Sequence, residues 1–596
     1  MNFPKIDPKI GTILRRIILA AMIIGTMVQI AFPAWQNIMN WRLPDNDDAM
    51  RVLEVRAWLQ GQGFYDIFNH RLNPPNGGDV HWSRLGDIPL LLANVLLLPF
   101  LGSVMAEKAA AFFTPLLLGA IFVLVSGKAA YALENSRISF FVGVFAALST
   151  AGAMSYFVAG RVDHHGLQLI FLVASFWGLF SHKPKGAIVA GLMTAASLTI
   201  GFEMVPILAF MIAWLAIIWG IRGNNIKKQA LYFSCSLALG TIIGFLINVP
   251  PQEYLTSVND ALSIAQALPI LVGCVGLGLA AMFLSQGAVQ YRFAALMIVA
   301  LIVVLVGMQF PILMRKLYWQ IDPLLVRLWV NAIVETHPLT KTDPSVQLSL
   351  GMFAVIMSAA AVIKVIVVII DAAKKPDDIH NRDVDNWSLL AIVLVGVTLM
   401  AVFWQARVAG QASTIAAFSA SALITGIFKR QGLRNAILVG LVLNPLMPAM
   451  AATAYKKLYP KKTQYAVGGG GTCRGMKAYS EMAKLPKGLV AAPIDFGAQT
   501  LIATHHNVLA APYHRNQGNM VAYRIFLAKP DEALILLDRS NVDYVAICTM
   551  SAEVGIISRE APNGLMSQLK DGRIPNYLRR VPTPAGSNVQ AFEVLK

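Results

Sequence analysis

Ile17–Ala34 is a predominantly apolar run, and the acidic stretch Pro44-Asp45-Asn46-Asp47-Asp48 follows it closely. A run of that length crosses a bilayer as a helix. Lys5, Lys9, Arg15 and Arg16 precede it and no small-residue cleavage site follows. It is therefore expected to be an anchor with a cytoplasmic N-terminus rather than a removed signal peptide. Similar runs recur as far as Tyr455 and then stop. The 596-residue chain is 56% hydrophobic and 14% charged, where soluble domains carry roughly one-quarter charged residues. The expected class is a polytopic α-helical membrane protein with a soluble C-terminal α/β domain. The net charge of +17 does not imply nucleic acid, because most Lys and Arg lie in short loops between apolar runs and no aromatic-basic motif accompanies them. The implied partner is the lipid bilayer.

Pro89–Met105 sets the topology. It is apolar but short, and Asn94 and Pro99 interrupt it. Read as a full span, it would place every later basic loop outside. Read as a re-entrant or interfacial helix, it keeps the loops around Lys128–Arg137, Lys183–Lys185, Arg222–Lys228, Lys374–Lys375 and Lys429–Arg434 inside. The second reading gives about 13 spans. Residues 1–455 then form the membrane domain, with outer loops 35–88 and 311–346. Residues 456–471, which end in Gly468-Gly469-Gly470-Gly471, form a hinge. Residues 472–596 form an outer, periplasmic domain on a bacterial inner membrane. Within it, Leu489–Pro493, Asn507–Ala510 and Asp543–Cys548 read as strands, and Phe496–Thr504 and Asp531–Asp538 as helices. Cys473 and Cys548 fall in this oxidising compartment and are a candidate pair that the sequence leaves open.

The conspicuous acids map to the outer side. An N-cap at the start of an amphipathic helix accounts for one or two of Asp45, Asp47 and Asp48. Three such acids repel one another unless a cation neutralises them, and a hard divalent metal does so well. A second polar knot, Gly160-Arg161-Val162-Asp163-His164-His165-Gly166, stands where one span ends and the next begins. Ionisable residues there are costly enough to imply function. Asp47, Asp163 and His165 are the expected metal ligands, with Asp45 or Asp48 assisting. Glu335, in Ile333-Val334-Glu335-Thr336-His337-Pro338, is the expected acceptor contact. Arg84, Arg161 and Arg407 are candidates for binding phosphate. Asp495, at a strand-to-helix junction, is a candidate binding residue.

In this order the motifs resemble the catalytic-subunit family of oligosaccharyltransferases, within the GT-C class of membrane glycosyltransferases. Asp45-Asn46-Asp47-Asp48 resembles the family's first acidic motif, and Ala159–Gly166 is similar to its second. Ile333-Val334-Glu335 with Pro338 looks like the glutamate motif of its fifth outer loop. Ile494-Asp495-Phe496-Gly497 stands where the family carries Trp-Trp-Asp-Tyr-Gly. The resemblance implies a divalent cation, magnesium or manganese, on the two acidic motifs. It also implies a polyprenyl-linked sugar donor and inverting transfer, with an aspartate of the first motif and Glu335 engaging the acceptor. Two departures stand out. His165 replaces the usual Glu of the second motif, and Pro493 and Ile494 replace both tryptophans that help to read an Asn-x-Ser/Thr acceptor. The acceptor is accordingly left open between lipid, glycan and protein. The rival expectation is a transporter or flippase, in which paired ionisable residues would lie near mid-membrane on two related halves.

Overall fold

The computed structural model describes residues 8–315, 319–375, 378–460 and 473–595. Among these, nine helices are long and apolar enough to cross a membrane, or up to eleven if each of two bent pairs is one span. The bent pairs are Arg137–Ser149 with Ala151–Phe157, and Leu433–Val442 with Met447–Leu458. His165–Phe180 and Pro184–Ile200 are shorter apolar helices, and the expected 13 spans are reached only if these also cross. The protein is a polytopic membrane protein with a soluble domain.

Lipid offers no hydrophobic drive to pair helices, so close backbone approach has to supply the packing. Pro184–Ile200 lies against Lys227–Asn248 in this way: a Cβ on Gly191 would stand 2.1 Å from Ser236 Oγ, and one on Gly244 would stand 2.1 Å from Thr199 Oγ1. Small residues at these positions let the pair close.

The interrupted segment at Pro89–Met105 belongs to the helix Ile88–Glu134, which breaks at Gly102, where φ is 70° and ψ is 167°. Both ends of its first part face the side that carries the soluble domain. Asp87, just before it, pairs with Arg51, and Glu107, just after the break, pairs with Arg56. Arg51 and Arg56 both lie on the helix Asn46–Leu59. The second part runs on to Glu134, which pairs with Lys429 at 3.4 Å. Both ends of the first part are therefore held to one helix, with Leu96 and Phe100 69% and 83% exposed along it.

The soluble part is built on a five-stranded sheet, while the first loop contributes the short pair β1 (Phe68–Asn69) and β2 (Gly78–Asp79). The sheet strands are β3 (Leu489–Ala491), β4 (Asn507–Val508), β5 (Tyr544–Cys548), β6 (Leu578–Arg580) and β7 (Val589–Val594), in the order β4-β3-β5-β7-β6. β3 runs parallel to β4 and β5, and β7 runs antiparallel to β5 and β6. Helices Ile494–Ala503 and Pro530–Arg539 fall within a few residues of their expected positions. β6 and β7 carry no periodicity strong enough to have announced them. Cys473 and Cys548 form a disulfide that fastens the start of this region to the end of β5. Of the expected hinge, residues 461–471 lie outside the described residues.

Two membrane loops seat the sheet. β4 would be an open edge, and the first loop covers it: Leu72 bridges to Val508 in parallel, Val508 N donates to Arg71 O at 2.9 Å, and Asn73 N donates to Val508 O at 2.7 Å. Arg71 adds guanidinium bonds to the carbonyls of Leu501, Thr504 and His506. Leu325, Leu328 and Trp329 of the loop at 311–346 enter the apolar core of the sheet domain with Ile494, Tyr523 and Phe526. Replacing Arg71 with alanine strands three carbonyls, at roughly 1–3 kcal/mol for each charge-assisted bond lost. Hydrogen exchange across 501–508 is expected to rise at least ten-fold in Arg71→Ala, with the membrane helices unchanged.

Candidate functional site

Two of the three adjacent acids start a helix. Asp45 is the N-cap of Asn46–Leu59: its Oδ1 accepts from Asn46 N at 2.6 Å, and its own N–H donates to Asp48 Oδ2 at 3.0 Å, completing a capping box. The second knot reaches this helix start because Gly160, at φ 89°, turns the chain where a Cβ would meet Pro44 and Ile38 at 3.2–3.3 Å. Arg161 then bridges the two motifs. Nη1 contacts Asp45 Oδ2 at 2.8 Å and Asp48 Oδ2 at 3.3 Å, while Nη2 contacts Asp163 Oδ2 at 3.2 Å. Asp163 N donates to Asp48 Oδ1 at 3.1 Å, which locks the knots together through the backbone.

Asp47 is the acid that capping leaves over. It accepts no hydrogen bond from a described residue. Its carboxyl is held well above the ordinary range, first by burial and then by the charges of Asp45 and Asp163. Burial likewise raises Asp48 to about 7, against the pull of Arg161. Asp163 moves the other way. Burial opposes its charge, but the imidazoles of His165 and His164 and the guanidinium of Arg161 hold its carboxyl well below the usual value.

The histidines have different environments. His164 is buried, with Nδ1 2.9 Å from Asp163 Oδ1 and Nε2 3.3 Å from Glu203 Oε1. Burial disfavours its cation, yet the two carboxylates raise it to about 9. Arg51 Nη2 lies 3.0 Å from His164 Nδ1, and its guanidinium stacks on Trp82 at 4.5 Å. His164 is thus clamped between two carboxylates and a guanidinium. His165 is more open: Nδ1 faces Gln168 Oε1 at 3.4 Å, and Nε2 stands 3.6 Å from Asp163 Oδ2. Asp163, His164 and His165 offer ligand atoms within 4.8 Å of one another. Because both nitrogens of His164 are engaged, Asp163 and His165 are the pair free to share an ion. Asp47 lies beside Asp163 in electrostatic reach, outside that tight group.

The remaining expected residues divide. Glu335 is exposed, and its carbonyl accepts from Arg407 N at 3.0 Å, which joins its loop to the start of the helix Val408–Gln431. Tyr156 feels the charges of Glu335, Arg407, Arg161 and Asp163, and its ring lies 5.6 Å from His165. Asp495 also comes to the first motif, since its carbonyl accepts from Asn46 Nδ2 at 2.9 Å. Its carboxyl is raised to about 6, first by burial and then by Asp45. Arg84 does not join the site. It is buried, with Nη1 3.2 Å from Glu54 and 3.6 Å from Asp87, and Nη2 2.6 Å from the Asp66 carbonyl, so its guanidinium is committed to the interior of the first loop. Glu203 and Arg51 were not foreseen. Glu203 had a signal: it is a lone acid between two apolar runs. Arg51 had none, being one more basic residue on an amphipathic helix.

No family model matches the sequence, and no curated protein does. Solved structures do. An archaeal oligosaccharyltransferase, AglB from Archaeoglobus fulgidus, in complex with an inhibitory peptide and a dolichol-phosphate, superimposes with a TM-score of 0.67 at 16% identity, over 95% of this chain and 72% of that one. The fold is that of an oligosaccharyltransferase. The Archaeoglobus fulgidus oligosaccharyltransferase in complex with Zn and sulfate gives a TM-score of 0.62 at 15% identity, over 92% and 70% of the two chains. The form tethered to an acceptor peptide containing the NVT sequon gives 0.63 at 15%, over 91% and 71%. The oligosaccharyltransferase fold thus extends over nearly the whole of this distant chain.

Arg161 is the only described guanidinium that ion-pairs with Asp45, Asp48 and Asp163. Removing one partner from a buried pair costs about 3–5 kcal/mol. Arg161→Ala is expected to lower the melting temperature in detergent, and Asp48→Asn in the same chain should recover part of the loss. Additive losses in a double-mutant cycle would refute the coupling.

Proposed function

We propose that the chain is a membrane glycosyltransferase of the oligosaccharyltransferase type. It moves a sugar or oligosaccharide from a polyprenyl phosphate or pyrophosphate carrier to an acceptor at the periplasmic face of a bacterial inner membrane. The observation that carries this reading is the meeting of both acidic motifs around Arg161 on the side where the sheet domain sits. The backbone bond between Glu335 and Arg407, both within electrostatic reach of Tyr156, supports it. The oligosaccharyltransferases that share the fold were captured with dolichol-phosphate and with an acceptor peptide, which are a lipid carrier and an acceptor of the kinds proposed here.

Asp163 and His165, with Asp47, are the residues that would hold a divalent cation, magnesium or manganese. They fit it: a carboxylate held ionised, an imidazole with one nitrogen engaged by Gln168, and a further carboxylate with no hydrogen-bond donor among the described residues. Such a cation neutralises the charge that the phosphate gains as it leaves. Asp47 and Asp45 face the incoming acceptor, where a carboxylate takes the proton as the acceptor atom bonds to the anomeric carbon and the carbon–phosphate-oxygen bond breaks. Asp48 braces Asp163 through its backbone. Glu335 holds the acceptor from the loop side. Arg407 is the guanidinium proposed for the carrier phosphate, Arg161 being committed to Asp45, Asp48 and Asp163 instead, and Asp495 closes the site from the sheet domain.

Pro493 and Ile494 bear on the acceptor. Ile494 is buried in the sheet-domain core and its N–H is bonded to Glu553, so this segment offers no indole surface to an Asn-x-Ser/Thr hydroxyl. The acceptor is therefore proposed from lipid, glycan or protein without a sequon requirement.

Mass spectrometry of envelope glycolipids in a deletion strain is expected to show accumulated polyprenyl-linked sugar beside an unmodified acceptor. An unchanged profile would reject the reading. In proteoliposomes, Asp163→Asn and Asp47→Ala should each lower transfer by roughly a hundred-fold or more while keeping the wild-type elution profile, and chelation of divalent metal should abolish it.

A further inference from the structure

A second cluster lies apart from the acidic motifs and shares no residue with them. His81, Asp260 and His514 present ligand atoms that all lie within 4.8 Å of one another. They come from three separate parts of the chain. His81 follows β2 in the first loop, Asp260 lies in the connection between the helices Lys227–Asn248 and Ile264–Leu284, and His514 belongs to the soluble domain. His514 Nε2 stands 2.6 Å from Asp260 Oδ2, and the rings of His81 and His514 are 4.6 Å apart.

His81 carries the argument further. Its Nδ1 is buried and has no hydrogen-bond partner among the described residues. A buried imidazole nitrogen left unmatched costs the desolvation that a partner would return. Its backbone is held at φ 50°, a conformation a residue with a Cβ seldom adopts, and its N–H is tied to Asp79 Oδ1 at 2.8 Å. Asp79 in turn accepts from Arg515 at 2.6 Å, and Arg515 donates to both oxygens of Asp260. A guanidinium on one side of a carboxylate fixes its orientation and leaves lone pairs for a further ligand.

We propose that His81, Asp260 and His514 form a zinc site that clasps the soluble domain to two membrane loops. Two imidazoles and one carboxylate suit a borderline ion such as zinc, with a fourth position for water. Asp79 and Arg515 are its supporting shell. Beside it, Trp82 packs between His164 and Tyr513, 5.2 Å from each ring, so the clasp fixes the domain directly over His164 of the acidic site.

Full-length protein in detergent, stripped with chelator and re-equilibrated with zinc chloride, tests this by metal analysis. His81→Gln and His514→Gln are each expected to hold one zinc ion fewer per chain than the wild type, whereas Asp163→Asn keeps the ion that they lose. Zinc should raise the melting temperature of Asp163→Asn but not of His81→Gln. Wild-type zinc content in either folded histidine variant overturns the proposal. If neither variant folds, X-ray absorption of zinc-loaded protein carrying Asp163→Asn and His165→Ala decides. Two imidazoles with light-atom ligands are expected, and a spectrum without imidazole scattering overturns the site. Transfer activity is read separately, so the loss of either reading leaves the other standing.

Discussion

One guanidinium holds the chemistry-bearing half of this molecule together. Arg161 reaches Asp45 and Asp48 with one nitrogen and Asp163 with the other. Its side chain is 16% exposed, while those of Asp48 and Asp163 are 0% and 1% exposed, so the attraction acts where water screens it little. Four acids in such a space would push the two segments apart. With Arg161 among them, the helix start after the first span and the turn at Gly160 are drawn into one structure.

A second charge system supports the first from beneath. His164 sits between Asp163 and Glu203, and Arg51 spans from His164 to Asp87. Every member has an opposite charge beside it, which is how charges survive burial near a membrane. The consequence reaches the exposed residues: Asp163 stays ionised, and His165 is turned with one nitrogen toward Gln168 and the other toward Asp163.

The sheet domain completes the site by covering it. Its edge strand β4 is paired by the first loop, and the loop at 311–346 enters its apolar core. The loops that contribute Asp45, Asp47, Asp48 and Glu335 are therefore also the ones that seat the domain. Movement of the domain would be felt at Asp495 and Asn46, which are directly bonded. This arrangement ties Glu335 to the sheet, because Trp329, anchored in the sheet core, lies only a few residues before it, and Arg407 follows through the bond from its N–H to the Glu335 carbonyl.

Apolar runs and basic loops were enough to read a polytopic membrane protein with a soluble tail, because a bilayer imposes length and charge rules on each segment independently of its neighbours. Acids at span ends were legible for the same reason, and Asp45, Asp47, Asp48 and Asp163 do lie together. Partnership was not legible. Nothing in the chain said that Arg84 would be consumed by Glu54 and Asp87, that Glu203 would complete His164, or that His81 would meet Asp260 and His514. Local sequence determined which residues are expensive to bury. Only the tertiary structure decided which charges offset which, because electrostatic pairing depends on distances between segments that the order of residues along the chain does not set.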